Sequence, residues 1–298
     1  MKNQVPALEL NNVSSGYNEQ VVLHNINFKL QEASIYVVLG PNGAGKTTLF
    51  RTIAGILEPL SGGILFNGQN LTASARARTR INYLSQYNAM PEEMTVYDGL
   101  KFYSEIEGGD PDKAIDLLEL DELKNKRFSD LSLGQKKRAA IAKVFLSERD
   151  LYLLDEPTAN LDPAVSKEIR DIIIRLSKHK MILYSSHNLY EATDIGTYLI
   201  LIKNGSVTML DKISNIKPKN YRVGIRASTD ITGIVDAKRE GDYYVLSVSD
   251  PKEAGLALKK IVEKGVLVTE MRQLDNPLQE LFETSGIDRA QEGSKNAK

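Results

Sequence analysis

A glycine-rich loop with one lysine carries the clearest chemistry in the sequence. Residues 40–47 read GPNGAGKT and fit the pattern G-x-x-x-x-G-K-[ST] without a mismatch. Glycines let successive backbone N–H groups turn inward, and the N-terminus of a following helix adds positive potential, so such a loop binds phosphate groups. Lys46 is expected to reach the β- and γ-phosphates, and Thr47 to ligate Mg²⁺. The predicted nucleotide-binding residues are Gly40, Pro41, Asn42, Gly43, Ala44, Gly45, Lys46, Thr47 and Thr48.

Two acids at the end of an apolar run supply the second chemical element. Residues 151–156 read LYLLDE, which predicts a buried strand that ends in Asp155 and Glu156. Alone, two such acids would more often be solvated residues at the start of a loop. With a phosphate loop upstream, Asp155 is placed to hold Mg²⁺ through water, and Glu156 to take a proton from the attacking water as general base.

A third feature is the sequence LSLGQ at residues 131–135, which precedes a helical pattern. Ser132 and Gln135 fit the S-x-x-Q pattern of a capping box, which is a common helix start. A capped helix N-terminus with a hydroxyl and the N–H of Gly134 is also an anion site. Because the chain already has one phosphate loop, this second site is predicted to serve a nucleotide held by another subunit.

The elements that must position these residues follow from the apolar pattern. Buried strands are predicted at residues 33–39, 151–154, 181–184 and 198–202. Residues 163–177 have helical periodicity, with Asp162 as a plausible N-cap and Pro163 at the first helical position. The strand–helix–strand order predicts an α/β fold with a mostly parallel sheet flanked by helices. A smaller antiparallel sheet is predicted from residues 8–13, 21–30 and 64–66.

The composition changes at residues 213–220, ISNIKPKN, which predicts a linker. The first 215 residues are predicted to form one domain, with a helical subdomain at about residues 87–147. Residues 221–286 predict a small α+β domain, and residues 287–298 a disordered polar tail. Within the small domain, strands are predicted at 221–227, 230–237, 242–248 and 266–272, and helices at 251–264 and 277–284.

Composition restricts the classes of function. The net charge of −1 over 298 residues argues against a nucleic-acid surface. The absence of cysteine excludes disulfides and thiolate metal sites. No apolar run approaches the roughly 18 residues of a membrane span, and the N-terminus is too polar for a signal peptide. A protein of this kind that serves a membrane is expected to do so through a partner.

Four motifs of the chain, in their order, resemble those of the ATP-binding subunit of ABC transporters. They are the phosphate loop, LSLGQ, LYLLDEPTANLD and YSSH. The resemblance covers residues 8–210 and implies an ABC-type P-loop ATPase domain with ATP and Mg²⁺ as ligands. It implies that Tyr17 stacks on adenine and that His187 contacts the γ-phosphate. It also implies that Gln86 ligates Mg²⁺ and senses the membrane partner, and that Asp162 crosses a dimer interface.

The resemblance further implies a head-to-tail dimer of this chain with itself or with a related ATPase subunit. Each ATP would lie between one phosphate loop and Ser132, Gly134 and Gln135 of the other subunit, and hydrolysis would let the dimer open. Residues 86–103 are expected to contact a transmembrane permease, with Tyr87, Met90 and Met94 exposed; ordinary packing within the helical subdomain is the alternative. The expected location is cytoplasmic, on the inner face of the cell membrane through that permease.

One residue departs from the family pattern. The usual signature has glycine where this chain has Leu133. The groups expected to touch the γ-phosphate, the Ser132 hydroxyl and the Gly134 N–H, are retained, so activity is expected if the Leu133 side chain points away from the nucleotide. A Leu133 that blocked closure would make the chain a slow or inactive ATPase.

Two other functions compete with transport. A soluble ABC ATPase acting on ribosomes or DNA is disfavoured by the single phosphate loop, the net charge and the 45-residue spacing between Gln86 and Leu131. A regulatory module that binds ATP without turnover is disfavoured by Glu156 and His187. The small C-terminal domain and residues 277–286, PLQELFETSG, resemble exporter-type systems with separate ATPase subunits. The sequence does not indicate the cargo.

Overall fold

The computed structural model describes residues 7–18, 20–86, 90–216, 221–249 and 251–274. The chain divides into two compact units, Met1–Ile213 and Ser214–Lys298. The predicted exposure of Tyr87, the predicted helix at 277–284 and the predicted tail at 287–298 lie outside the described residues.

The first unit alternates strands and helices along the chain. Its strands are β1 (Leu8–Tyr17), β2 (Gln20–Leu30), β3 (Ile35–Leu39), β4 (Ser61–Phe66), β5 (Gln69–Asn70), β6 (Ile81–Leu84), β7 (Leu151–Asp155), β8 (Met181–Ser186), β9 (Tyr198–Lys203) and β10 (Ser206–Lys212). Its helices are α1 (Lys46–Ile53), α2 (Ala75–Arg78), α3 (Val96–Glu107), α4 (Pro111–Leu117), α5 (Leu133–Phe145), α6 (Pro163–Leu176) and α7 (Leu189–Ile195).

A six-stranded sheet positions the chemistry. Its order is β10-β9-β3-β8-β7-β6, and all neighbours are parallel except the β9–β10 pair. Strands β3, β7 and β8 are buried at every position, as expected of apolar strands covered on both faces. The carboxyl ends of these three parallel strands meet at one edge of the sheet, so the loops that follow them converge there.

A second sheet, of order β2-β1-β4-β5, is antiparallel and covers α1. Alternate side chains of β1 and β2, such as Leu10 and Phe28, share one core with Phe50 of α1 and Leu153 of β7. Helix α1 is therefore fixed between the two sheets, and the loop that precedes it is held from both sides.

Helices α3 to α5 form the helical part of the unit. The predicted capping box starts α5, because Ser132 Oγ accepts from the N–H of Gln135 (3.3 Å) and Gln135 Oε1 accepts from the N–H of Ser132 (3.1 Å). The prediction that Met90 is exposed is wrong. Met90 is 5% exposed and packs against Gly99 of α3, while Met94 is half-buried.

Helix α6 begins as predicted at Pro163, with Asp162 in the N-cap position. The Asp162 carboxylate, however, makes no cap hydrogen bond to the first turn. The predicted N-cap position is confirmed, and the exposed carboxylate is available for another contact.

In its described residues, the second unit has a four-stranded antiparallel sheet of order β12-β13-β11-β14 and one helix. Its elements are β11 (Tyr221–Ala227), β12 (Lys238–Glu240), β13 (Tyr243–Val248), α8 (Pro251–Glu263) and β14 (Val268–Gln273). The predicted strand at residues 230–237 is wrong. Asp230 Oδ1 instead accepts from the N–H and hydroxyl of Thr232, which turns the chain, and Ile231 is fully buried in the core of this unit.

Candidate nucleotide-binding and catalytic site

The phosphate loop joins β3 to α1, and its glycines are required by geometry. Gly45 has φ +105°, in the left-handed region that favours glycine. A Cβ at Gly40 would lie 2.4 Å from the carbonyl oxygen of Ile202 on the neighbouring strand. Side chains at these two positions would therefore strain the turn or push it away from the sheet.

Lys46 is held at the mouth of this loop. Its ammonium, on a residue that is 5% exposed, donates to the carbonyl oxygens of Gly40 (2.8 Å) and Pro41 (3.1 Å). The same ammonium pairs with Glu156 Oε1 at 3.3 Å. Burial lowers the pKa of Lys46, and the charge of Glu156 opposes that shift. The ammonium therefore already lies among negative oxygen atoms, which the phosphates of a nucleotide can replace.

Glu156 follows β7 and contacts two cationic or ionisable groups. Its Oε1 lies 3.4 Å from Nδ1 of His187, in addition to the contact with Lys46. The hydrogen bond with His187 lowers the pKa of Glu156 and raises that of His187, and burial opposes both shifts. The Glu156 backbone has φ +47° and donates its N–H to Ser185 Oγ (2.8 Å). These contacts fix an anionic carboxylate at the edge of the sheet.

Asp155 is fully buried and is satisfied by two hydroxyl groups. Ser185 Oγ donates to Oδ1 at 2.7 Å, and the Tyr83 hydroxyl donates to Oδ2 at 3.2 Å. Burial raises the pKa of the Tyr83 phenol, so it remains a donor. The sequence patterns did not predict these supporting hydroxyls. The signals for them were a tyrosine in the apolar run INYL and the serines that end the run in YSSH.

A cavity of about 690 Å³ lies over the loop, large enough for a nucleotide. Of the predicted residues, it is lined by Asn42, Gly43, Gly45, Lys46, Thr47, Thr48, Gln86, Glu156 and His187. The oxygen donors Thr47, Gln86 and Asp155 are of the type that Mg²⁺ prefers. In the described parts of the chain, no three His, Asp or Glu side chains cluster to hold a metal by themselves. Thr47 and Gln86 line the cavity and Asp155 is fully buried next to Glu156, and this donor set fits a magnesium ion.

Other predicted residues do not line this cavity. Tyr17 is 39% exposed, and its hydroxyl accepts a hydrogen bond from Arg51 Nη1 at 3.2 Å. Ser132, Gly134 and Gln135 lie at the start of α5, and Asp162 at the start of α6. A Cβ on Gly134 would lie only 2.7 Å from Cγ1 of Val165, so this glycine lets α5 pack against α6. The two helix starts are thus adjacent on the surface.

A buried carboxylate, also absent from the predictions, joins the two loops of the site. Glu191 of α7 is 9% exposed. One of its oxygens accepts from the hydroxyl of Thr158, which follows the strand of Glu156. The other oxygen, Oε2, accepts from Ser186 Oγ at 2.5 Å, next to His187. The Arg170 guanidinium lies 3.6 Å from Oε1, the oxygen that accepts from Thr158. This network holds the segments of the two catalytic candidates in fixed relative positions.

Comparison with known proteins agrees with this geometry. The profile of the ABC transporter family matches residues 23–159. The uncharacterized ABC transporter ATP-binding protein YxlF of Bacillus subtilis (strain 168) is 28% identical over 292 residues, covering 92% of this chain and 98% of that protein. The cytochrome c biogenesis ATP-binding export protein CcmA of Agrobacterium fabrum is 35% identical over 188 residues, 60% of this chain and 88% of its own length.

A third relative is the maltose/maltodextrin import ATP-binding protein MalK of Photorhabdus laumondii, 31% identical over 69% of this chain. The chain spans only 58% of MalK. Among solved structures, cbiO1 from Clostridium perfringens, part of the ABC transporter complex cbiONQ, has a TM-score of 0.63 at 29% identity, over 70% of this chain and 89% of its own. A dimeric post-hydrolysis ATP-binding cassette bound to ADP and Pi shares the fold, with a TM-score of 0.63 at 22% identity, over 69% of this chain and 98% of that one.

Fold and site together define a P-loop ATPase with an additional antiparallel sheet and a helical segment. The chain belongs to the family of ABC transporter ATP-binding proteins. It binds ATP and is an ATPase of that family. Within the residues that the structure describes, no helix is both long and apolar enough to cross a bilayer.

Proposed function

We propose that this chain is the subunit that powers a membrane transporter by ATP-driven closure and opening of a dimer. The contact of Glu156 with both Lys46 and His187, at the wall of the nucleotide cavity, carries the proposal. It joins a phosphate-binding cation to a carboxylate that can accept a proton.

The proposed reaction is attack of a water molecule on the terminal phosphorus of ATP. A bond forms between the water oxygen and that phosphorus, and the bond from the phosphorus to the bridging oxygen breaks, which leaves ADP. Glu156 accepts the proton of the water, and His187 contacts the γ-phosphate. Lys46 moves from Glu156 to the β- and γ-phosphates. Thr47, Gln86 and Asp155 would hold Mg²⁺, which neutralises phosphate charge when bound.

The dimer is proposed from the surface positions of the second anion site. Ser132, Gly134 and Gln135 do not line the cavity of their own chain, so we assign them to the nucleotide of a second subunit. Asp162 lies at the adjacent helix start and would cross the same interface. The γ-phosphate would join the two subunits, and its loss would let them separate.

The membrane partner is proposed to be a transmembrane permease that contacts residues 86–103. The relatives carry both import and export names, so the family permits either direction. We infer export from the small C-terminal domain, and the supporting residues 277–286 lie outside the described part of the chain. The Mg²⁺ site, the Tyr17 contact with adenine and the cytoplasmic position on the membrane belong to the same proposal.

The substitution Glu156→Gln tests the catalytic part. It removes the proton acceptor and keeps the shape, so ATP turnover should fall by at least about a hundred-fold while ATP still binds. ATP-bound dimer should accumulate in size-exclusion chromatography. The matched control is Glu168→Gln, which removes an equal charge at an exposed residue that pairs with Arg138 (2.8 Å). Near-normal ATPase activity in Glu156→Gln would remove Glu156 from the mechanism.

A further inference from the structure

Lys137 is a buried lysine on the second turn of α5. The residue is 6% exposed. Within the described ranges of the chain, no side chain or carbonyl lies close enough to hydrogen-bond or pair with its ammonium. Burial lowers the pKa of Lys137, and the charges of Asp155 and Glu156 act against that shift. Lys137 lines a cavity, so an anionic ligand there that accepts hydrogen bonds from its ammonium would stabilise the protein.

The other two lysines of α5 differ from Lys137. Lys136 pairs with Glu92 at 3.1 Å and lies over the ring of Phe128. Lys143 lies over the ring of Tyr103 at 3.8 Å. Lys136 and Lys143 thus each have an anionic or aromatic partner, whereas no such contact of Lys137 is found among the described residues.

The Lys137 side chain lines a small cavity next to the nucleotide cavity. The small cavity has a volume of about 130 Å³, and its walls are Gln86, Leu133, Lys137, Glu156, Ala159 and Asn160. Gln86, Glu156, Ala159 and Asn160 also line the nucleotide cavity. Since one water molecule takes about 30 Å³, the small cavity can hold a five-atom oxyanion but not a nucleotide.

We propose that this cavity is a subsite for the inorganic phosphate that hydrolysis releases, with Lys137 as its cation. The inference rests on the proposed function, because cleavage at Glu156 produces phosphate beside the shared wall. Lys137 offers three N–H donors, and the amides of Gln86 and Asn160 offer more. Inorganic phosphate near neutral pH still carries at least one O–H group, which can donate to the anionic Glu156 carboxylate on the shared wall.

The test measures phosphate binding without turnover. Saturating ADP, verified for each variant with a fluorescent ADP analogue, fills the phosphate loop, and inorganic phosphate is then titrated while thermal unfolding is followed. Phosphate should raise the unfolding midpoint of the wild type beyond the effect of sodium chloride at equal ionic strength. Lys137→Met should weaken phosphate binding by at least about ten-fold, the effect of one lost hydrogen bond to a charged group.

Lys136→Met is the matched control on the same helix and should keep the wild-type phosphate response. Lys137→Met also removes a positive charge near Asp155 and Glu156, so the unfolding midpoint of each variant is first measured without phosphate and its phosphate response is taken relative to that value. If Lys137→Met does not fold, Lys137→Gln serves, since it keeps a polar end of similar reach without the charge.

Two results would overturn the proposal: a wild type that responds to phosphate no more than to sodium chloride, or a neutral Lys137 variant whose phosphate affinity stays within two-fold of the control. Because ADP and phosphate are added directly, this readout does not depend on hydrolysis. Failure of Glu156→Gln to stop turnover would refute the catalytic proposal by itself, and the phosphate titration would still decide the role of Lys137.

Discussion

Glu156 competes with nucleotide phosphates for Lys46, so removal of its charge should strengthen ADP binding. The Lys46 ammonium is 3.3 Å from Glu156 Oε1, and the two side chains are only 5% and 12% exposed. ADP must draw this ammonium toward its β-phosphate and bring negative charge close to the carboxylate. Glu156→Gln removes both the ion pair that holds Lys46 and the negative charge that repels the β-phosphate, and it retains the side-chain volume.

The expected gain in ADP affinity follows from the strength of the Lys46–Glu156 contact. At 3.3 Å the gross Coulomb attraction is about 5 kcal/mol with an effective dielectric constant of about 20. Desolvation and the retained carbonyl contacts of Lys46 offset most of it, which leaves about 1.5–3 kcal/mol for a hydrogen bond between charged groups. The dissociation constant for ADP should therefore fall by about ten-fold or more.

Titration with a fluorescent ADP analogue measures this directly, and ADP avoids the effects of hydrolysis and of γ-phosphate-driven closure. Glu168→Gln has the same change in net charge and should bind ADP like the wild type. The nucleotide-free Glu156→Gln protein should also unfold at a lower temperature, because its buried ammonium has lost its anion. Equal ADP affinity in Glu156→Gln and Glu168→Gln would refute the competition between carboxylate and phosphates.

Three further predictions concern the signature segment and the histidine. Leu133→Gly should leave the ATPase rate within a few-fold of wild type, because Leu133 is 52% exposed and the phosphate contacts are proposed for its neighbours; loss of most activity would give the leucine a positive role. Gly134→Ala should cost about 1–3 kcal/mol in the free energy of unfolding, because its Cβ would meet Val165, and Val165→Ala should restore most of that loss in denaturant titrations. The pKa of His187, followed by NMR without nucleotide, should exceed its ordinary 6.5 and fall in Glu156→Gln. The hydrogen bond between His187 and Glu156 thus stabilises the fold fully below about pH 6.5, and this stabilisation is lost as the pH rises through the raised pKa of His187. An unshifted pKa of His187 in the wild type would contradict this contact.

Local chemistry made much of the first unit predictable from sequence. Short-range patterns determine a phosphate loop, a capping box and fully apolar strands, and each of these needs only neighbouring residues. The α/β fold and the ABC family are confirmed by the structure and by the relatives. Ser132 and Gln135 bond as the S-x-x-Q pattern predicts, because the partners are three residues apart.

The errors arose where distant contacts decide the outcome. Residues 230–237 are rich in β-branched residues, as a strand often is, yet the turn at Asp230 and the burial of Ile231 redirect them. Met90 looked exposed in a polar stretch, but Gly99 leaves room for it in the interior. The sequence patterns made no prediction for Lys137, whose burial depends on the packing of α5 in the folded unit.

Affinity purification can decide whether this ATPase powers a membrane transporter, as we propose. The tagged chain would be isolated from detergent-solubilised membranes of its native host, and the proteins recovered with it would be quantified by mass spectrometry. If the chain powers a transporter, a polytopic membrane protein should be recovered in near-equal amount. The ATPase activity of that complex should be abolished by Glu156→Gln. Recovery from the soluble fraction alone, with ribosomal or DNA-bound proteins, would contradict the transport function and leave the ATPase assignment in place.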